Sequence, residues 1–267
     1  MALPPDFTPP MDRSPLLPEP IPVTADELAA LLAGHRQWLE SKGQNGSRAV
    51  LINRDLRGLV LDGAEMARAR LELCDLRSVS LEGARITGAR FGDSDLGRAR
   101  LVGCDGDGAS FFRCHAPQAS FANARLNGAC FMLAHLDGAD LSAAELVGAD
   151  FDGASYRDAS FHSADLRGIL LPRACQNQVE GAIGDRASQL GEGVTMLDAN
   201  HPGELLTCHG GDMVAEHAAT ARPSSTRKRG KWTPIRCAYW RALSETDRPA
   251  FEQWVRTAPD FPALPPD

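Results

Sequence analysis

No stretch of the 267-residue chain approaches the ~18 consecutive apolar residues that a membrane-spanning helix needs. The opening Met1-Ala-Leu-Pro-Pro-Asp is neither basic nor apolar, so no secretory signal is expected. Seven cysteines, scattered and odd in number, argue against a disulfide framework and for a reducing, cytoplasmic setting. Lysine is nearly missing, 3 against 25 arginines, which reads as genome composition. The net charge of −7 marks a soluble, acidic chain and excludes nothing sharper. No Ser/His/Asp or Cys/His grouping sits in a scaffold motif. The expectation is therefore not an enzyme: no catalytic residue, no cofactor, no metal site.

What is present is a period of five. Of the 25 positions ending in 1 or 6 from Leu51 to Leu171, 23 are Leu, Phe, Met, Ile or Tyr, with Gly106 and Ala116 the exceptions. Two residues before each, 17 of 25 are Ala and Cys74, Cys104 and Cys114 add three more. Ala139-Asp-Leu, Ala149-Asp-Phe, Ala159-Ser-Phe and Ala164-Asp-Leu are clear instances. Neither a helix nor a flat strand has this period, so the stretch is a solenoid. A large and a small residue point inward in each repeat, and the other three face solvent.

These residues resemble the pentapeptide-repeat family, whose motif is Ala-(Asp/Asn)-Leu-X-X or its Phe variant, over residues 49–173. The resemblance implies an all-β solenoid: a right-handed quadrilateral β-helix with one pentapeptide per side and 20 residues per coil. Coils spaced like strands, about 4.8 Å apart, make roughly six coils and a rod about 30 Å long. Each coil buries its apolar face only against its neighbours, so the ends need caps.

The flanks divide by composition. Residues 1–23 hold eight prolines and read as a disordered or extended tail. Thr24-Ala-Asp-Glu27 is a capping box that opens a helix to about Ser41, within a lead-in spanning 24–48. Its apolar face is Leu28, Leu31, Leu32, His35, Trp38 and Leu39. His35 and Trp38 read either as a ligand site or, preferably, as part of a plug on the first coil; the string around them looks like a leader found before such repeats in bacterial proteins. Gln178-Val-Glu-Gly-Ala-Ile-Gly-Asp185 looks like a segment that follows them, so 174–221 is expected to be a C-terminal cap to about Leu190 and then a loop. His201, Cys208, His209, Asp212 and His217 fall in that loop, and their spacing matches no zinc module. Residues 222–258 form a basic, Trp-rich segment with a short helix, and 259–267 a Pro-rich tail. Together they are expected as a small helical or irregular C-terminal extension.

Folding the repeat modulo 20 predicts columns. Phe91, Phe111, Phe131 and Phe151 share one inside; Glu65, Arg85, Asp105, Arg125, Glu145 and Asp165 share one outside, with opposite charges alternating through Glu145. Gly88, Gly108, Gly128, Gly148 and Gly168 line a corner where a tight turn wants positive φ. The coil 101–120, with Gly106, Ala116 and Pro117, is a place for a bulge. Asp105 with Asp107, and His115 with His135, are weighed as cation or metal ligands and set aside for want of a full ligand set. One outward patch is apolar: Phe112, Cys130, Met132 and Leu133. It is the candidate partner-binding site, unless a terminal segment of the same chain, the Trp-rich C-terminus above all, covers it. A second candidate is the basic, aromatic set Arg227, Lys228, Arg229, Lys231, Trp232 and Trp240.

The function expected is a non-enzymatic scaffold that presents a β-helical surface to a protein partner, with a homodimer among the assemblies considered. Some members of the family that this chain resembles bind DNA gyrase as DNA mimics and protect it from quinolones. Here residues 49–173 carry 17 acids against 14 arginines, a net −3, so gyrase stays the runner-up. The stretch 137–170 is more acidic, with seven carboxylates against Arg157 and Arg167. Nucleic-acid or membrane-surface binding by the basic segment is a further alternative, with nucleic acid disfavoured. The register is directly testable: Phe131→Asp should abolish cooperative urea unfolding, whereas Asp137→Asn should leave it within about 0.5 kcal/mol. Equal behaviour of the two variants would mean that the register is wrong.

Overall fold

The computed structural model describes residues 18–171, 174, 176–201, 205–209 and 212–215. Its organising feature is a set of parallel bridges between residues 20 apart, such as Asp55↔Asp75, Val60↔Ser80, Glu65↔Arg85 and Arg70↔Arg90. These begin four columns that continue, rung by rung, to Cys130↔Asp150, His135↔Ser155, Asp140↔Ser160 and Glu145↔Asp165. The chain is a β-solenoid.

Apart from those at Leu51 and Leu71, the repeats close by a turn in which the fourth residue's N–H donates to the first residue's carbonyl, as Ala84 does to Leu81 at 3.1 Å and Ala129 to Leu126 at 3.0 Å. The third residue of the repeat has positive φ throughout, from Asn53 at 53° to Gly168 at 67°. This is the type II requirement for glycine, but many sites hold other residues, among them Arg68, Asp93, Arg113, Leu133 and Ala143. The predicted glycine corner is one instance of a rule that applies to every side.

The interior is filled as the period dictates. All large inward residues from Leu51 to Leu171 are buried, and so is the small-residue column from Ala69 onward. Phe91, Phe111, Phe131 and Phe151 stack face to face, with centroids 5.0, 4.8 and 4.7 Å apart. Phe121 meets the edges of Phe111 and Phe131 at 5.3 and 5.6 Å. Such pairs add about 0.5–1.5 kcal/mol each beyond area burial.

The coil 101–120 does not bulge, contrary to expectation: its bridges and turns run on without a break. At Gly106, Ile86 and Leu126 fill the space from the coils on either side; a Cβ there would lie 2.9 Å from Leu126 Cδ2. Pro117 takes the second position of its turn, where a fixed φ near −65° is an advantage.

At the N-terminal end, residues 18–20 lead into β1 (Ile21–Pro22), which is not part of a free tail. Helix α1 (Ala25–Glu40) follows, then β2 (Val50–Ile52), β3 (Arg54–Asp55) and β4 (Arg70–Glu72). β1 pairs in parallel with β3, and β2 with β4. Proline is tolerated in β1 because its missing N–H is not needed: Ile21 donates to Asn53, and Arg54 donates to the carbonyls of Ile21 and Pro22. Thr24 caps α1, its Oγ1 accepting from Glu27 N at 3.2 Å. The other half of the expected capping box is absent, because both Glu27 carboxylate oxygens accept from Arg54 at 2.7 Å.

Leu28, Leu31 and Leu32 pack on the core, and His35 is fully buried beside it. Ala49 N–H donates to His35 Nδ1 at 3.0 Å, so Nε2 carries the proton that it donates to Ala67 O at 3.1 Å. His35 therefore joins α1 to the solenoid as a neutral imidazole stacked on Trp38. The ligand-site reading of His35 and Trp38 gives way to this tether.

At the other end the ladder shortens to Asp165↔Ile183 and Leu170↔Gln189. A 3₁₀ turn (Gln176–Gln178) leads to β5 (Ile183–Gly184), β6 (Thr195–Asp198), β7 (Leu205–His209) and β8 (Asp212–Ala215), which form one sheet in that order. The expected loop over 191–221 is thus wrong for 195–198, 205–209 and 212–215, where β6, β7 and β8 pair antiparallel. Met196, Leu206, Cys208, Met213 and Ala215 alternate inward to extend the core. The signal missed was Gly210-Gly211 between two alternating runs, a hairpin dipeptide.

Both the closing turns and the histidine tether can be tested by unfolding. Ala143 has φ 56°, and Gly108 has φ +65° with nothing within 4 Å of the place a Cβ would take. Gly108→Ala should cost about 1 kcal/mol by backbone strain alone, and Ala143→Gly should be neutral or stabilising by up to about 1 kcal/mol, both read by urea denaturation. Burial lowers the His35 pKa; the hydrogen bond to Ala67 and the charge of Glu65 oppose this, and Arg48 reinforces it. A depressed histidine pKa gives stability that is full above the unfolded value and is lost as pH falls below about 6.5, by at most about 1.4 kcal/mol per pH unit. The difference in stability between the parent chain and His35→Gln should therefore shrink from pH 8 to pH 5; a constant difference would show that His35 is not held neutral.

Candidate partner-binding surface

Three residues of each repeat point away from the core, and their chemistry follows from one gap in the ladder. Outside β2 and β4, the ladder and turn bonds come from the N–H groups of the first, third, fourth and fifth residues of each repeat rather than from the second. Carboxylates and amides fill the vacancy. Asp55, Asp75, Asp95, Asp140, Asp150 and Asp165 accept the N–H two residues on, at 2.9–3.3 Å. Asp62, Asp107, Asn127 and Asp137 accept it one coil on, at 2.9–3.0 Å. Nine of the rod's 17 acids thus serve its own backbone. Asp137→Asn keeps an acceptor there, consistent with the mild effect expected of it.

The outer charge column is only partly continuous. Arg85 pairs with Glu65 at 3.5 Å, and Arg125 reaches Asp105 at 3.9 Å and Glu145 at 3.8 Å. The shorter contact of Arg125 is to Asp107, at 2.7 Å, and Asp165 turns to Arg167 at 2.6 Å. Arg125 thus reaches both Asp105 and Asp107, the two carboxylates weighed as cation ligands.

His115 and His135 lie one coil apart with ring centroids 5.9 Å apart and tilted by 58°. Burial and the neighbouring His115 hold His135 below the usual histidine range, and Ser155 Oγ lies 3.3 Å from its Nδ1. Among the described residues no three His, Cys, Asp or Glu side chains gather in a metal-binding arrangement. The residues around β6–β8 that were weighed as metal ligands and set aside have partners of their own. His201 Nδ1 lies 3.0 Å from Asp198, His209 lies 3.4 Å from Glu192, and the Cys208 thiol points inward and donates to Leu190 O at 3.1 Å. His217 lies outside the described residues.

The inward cysteines do more than replace alanine. Cys74 donates to Leu51 O at 3.2 Å, and Ser94 Oγ donates to Leu71 O at 2.7 Å while accepting from Cys74 N at 2.9 Å. Both sit where the first two turns of this column open into strands. Burial pushes the Cys104 thiol up to about 12, with Asp105 adding to the shift, and burial likewise raises Cys114. Neither is a reactive nucleophile.

The apolar patch is assembled as the register predicts but is not open to solvent. Phe112 is 6% exposed, Cys130 5% and Met132 1%, while Leu133 is half-buried. Arg113 lies over the Phe112 ring at 5.4 Å and donates to Asp93 at 2.7 Å. The second candidate set, Arg227, Lys228, Arg229, Lys231, Trp232 and Trp240, lies outside the described residues. Among the described residues no helix is long and apolar enough to cross a membrane.

Comparison with known proteins bears on this geometry. The family model described as pentapeptide repeats matches residues 47–83, 55–93 and 134–171. No curated protein matches the chain. Among solved structures, a pentapeptide repeat protein from the Arabidopsis thaliana thylakoid lumen is 28% identical, over 42% of this chain and 68% of that one, at a TM-score of 0.34. QnrB1, a plasmid-mediated fluoroquinolone resistance protein, is 16% identical over 52% of this chain and 87% of that one, at 0.31. HetL, involved in heterocyst differentiation regulation in the cyanobacterium Nostoc, is 20% identical over 63% and 91%, at 0.20.

Proposed function

The chain belongs to the pentapeptide-repeat family, and on that premise we propose that it is a non-enzymatic scaffold of the bacterial cytoplasm, presenting its outer surface to a protein partner. In this reading the solenoid is a right-handed, four-sided β-helix, α1 is its N-terminal cap, and the sheet β5–β8 closes its other end. The observation that carries the proposal is the filled interior. Large inward side chains are buried from the first coil to the last, and the phenylalanine column stacks through the middle. A rod without an internal chamber does its work on its faces. The candidate face is the outward apolar cluster Phe112, Cys130, Met132 and Leu133, whose first three members are nearly buried in the isolated chain.

A gyrase-directed DNA mimic is the second reading, favoured by the acidic stretch 137–170. Against it, Asp137, Asp140, Asp150 and Asp165 in that stretch are engaged by backbone N–H groups, and the rod carries a net charge of only −3. Binding to nucleic acid or a membrane surface through Arg227–Trp240 is a third, weaker reading. The decisive comparison is the double variant Phe112→Ser/Met132→Ser against the parent chain, in partner capture from the native host and in sedimentation. Lost partner recovery or an altered oligomeric state supports the face; no change in either removes its role. In parallel, purified gyrase should supercoil DNA, and respond to a quinolone, equally well with and without the protein. Protection from the quinolone would move the second reading to first place.

A further inference from the structure

Many arginines on this rod are held by carboxylates: Arg57, Arg77 and Arg167 each bind the aspartate two residues before them at 2.6 Å. One corner of the opening coils departs from this. Bridges stack Val50, Arg70 and Arg90 in one column, and Ile52 on Glu72 beside it. Glu72 serves both arginines, accepting from Arg70 at 2.6 Å and lying 3.1 Å from Arg90 Nε. Among the described residues neither Arg48 nor Arg68 makes an ion pair; Arg48 Nε donates instead to Arg68 O at 2.6 Å. Arg68 leans toward the next coil, its Cγ 3.8 Å from the place a Cβ of Gly88 would take. Burial, then the charges of Arg70 and Arg90, hold the Arg48 guanidinium below the usual arginine range, with Glu72 opposing and Arg68 adding to the effect. At the foot of the same columns Val50 and Ile52 are 44% and 43% exposed, so the basic cluster adjoins aliphatic surface.

We infer that this corner binds an acidic segment of a protein partner that also carries aliphatic side chains. Arg48, Arg68, Arg70 and Arg90 around the single carboxylate of Glu72 leave positive charge unmatched, and arginine-to-carboxylate hydrogen bonds are of the strong, charge-assisted kind. Val50 and Ile52 offer apolar contact that a valine or leucine of a peptide can use and a phosphate backbone cannot. The cluster is also local. From residue 101 to 171 the rod carries nine acids against Arg113, Arg125, Arg157 and Arg167. A duplex or a bilayer laid along the rod would meet like charge beyond Arg90, whereas a short segment spanning two rungs, about 10 Å, would not. This deepens the scaffold reading and rests on it, by giving the partner's chemistry at one place on the surface.

The test reads a synthetic probe and not the native partner, so it can fail while the scaffold reading stands. A labelled peptide of alternating glutamate and leucine is titrated with the full-length chain and followed by fluorescence anisotropy. It should bind, and a peptide of alternating lysine and leucine should not. Arg48→Gln/Arg68→Gln should weaken binding about tenfold, and Val50→Ser/Ile52→Ser about threefold. Arg98→Gln/Arg100→Gln, which removes the same charge elsewhere on the rod, should leave it unchanged. Each variant is checked for cooperative urea unfolding; should the first double variant unfold, Arg68→Gln alone, at an exposed side chain, gives the same reading. Four results would overturn the proposal: no binding of the glutamate peptide, unchanged affinity in either of the first two variants, equal loss in the two arginine pairs, or tighter binding of a duplex oligonucleotide or of phosphatidylserine vesicles that is lost with Arg48 and Arg68.

Discussion

Stacking one 20-residue coil on the next at strand spacing is the condition that the rest of this molecule obeys. The parallel bridges set the rise of each rung, and the turn that closes every fifth residue sets the width of the interior. That width admits one large and one small side chain per repeat, which is why leucine or phenylalanine alternates with alanine. It also aligns Phe91, Phe111, Phe131 and Phe151 at almost the rung distance, so that ring stacking and backbone bridging reinforce each other. The same turn forces a left-handed backbone at its third residue and leaves the second residue's N–H outside the ladder. Much of the polar surface answers these two demands. Aspartates bond the spare N–H, and arginines gather on the aspartates.

A ladder of this kind has two open edges, and each is treated differently. At the first coil, β1 pairs with β3, Arg54 binds β1 and Glu27 together, and His35 fastens α1 to the backbone of Ala49 and Ala67. At the last coil the register shortens, and β5 passes the ladder to an antiparallel sheet. Polar side chains inside the core concentrate near these two ends. Cys74 and Ser94 bond carbonyls in the opening coils; Gln178, Ser188 and Cys208 do so at the close, to Tyr156 and Ala159, to Leu166, and to Leu190. A buried carbonyl left by an opened or shortened turn must find another donor, and these side chains supply it.

In the scaffold reading proposed above, the filled interior leaves recognition to the outer surface. Most of that surface is charged and already internally bonded. The Phe112–Met132 cluster differs in that its outward side chains are apolar and nearly buried.

From its residues alone the chain declares its register, its inward columns, one glycine corner and the start of α1, because each depends on spacing within about 20 residues. A five-residue period can be produced by no other regular backbone, and Thr24 caps the helix it precedes wherever that helix packs. Other features were settled only by tertiary structure. Glu27 leaves its capping box because Arg54, 27 residues away, offers two hydrogen bonds. Gly106 causes no bulge because Ile86 and Leu126, one coil to either side, fill its place. Strands β6–β8 have no repeat to announce them and become a sheet by pairing with one another and with β5. Periodicity tells which way a side chain points from its own coil but not how exposed it ends up, and so the outward direction of Phe112 and Met132 was legible while their exposure, 6% and 1%, was decided only by the tertiary structure.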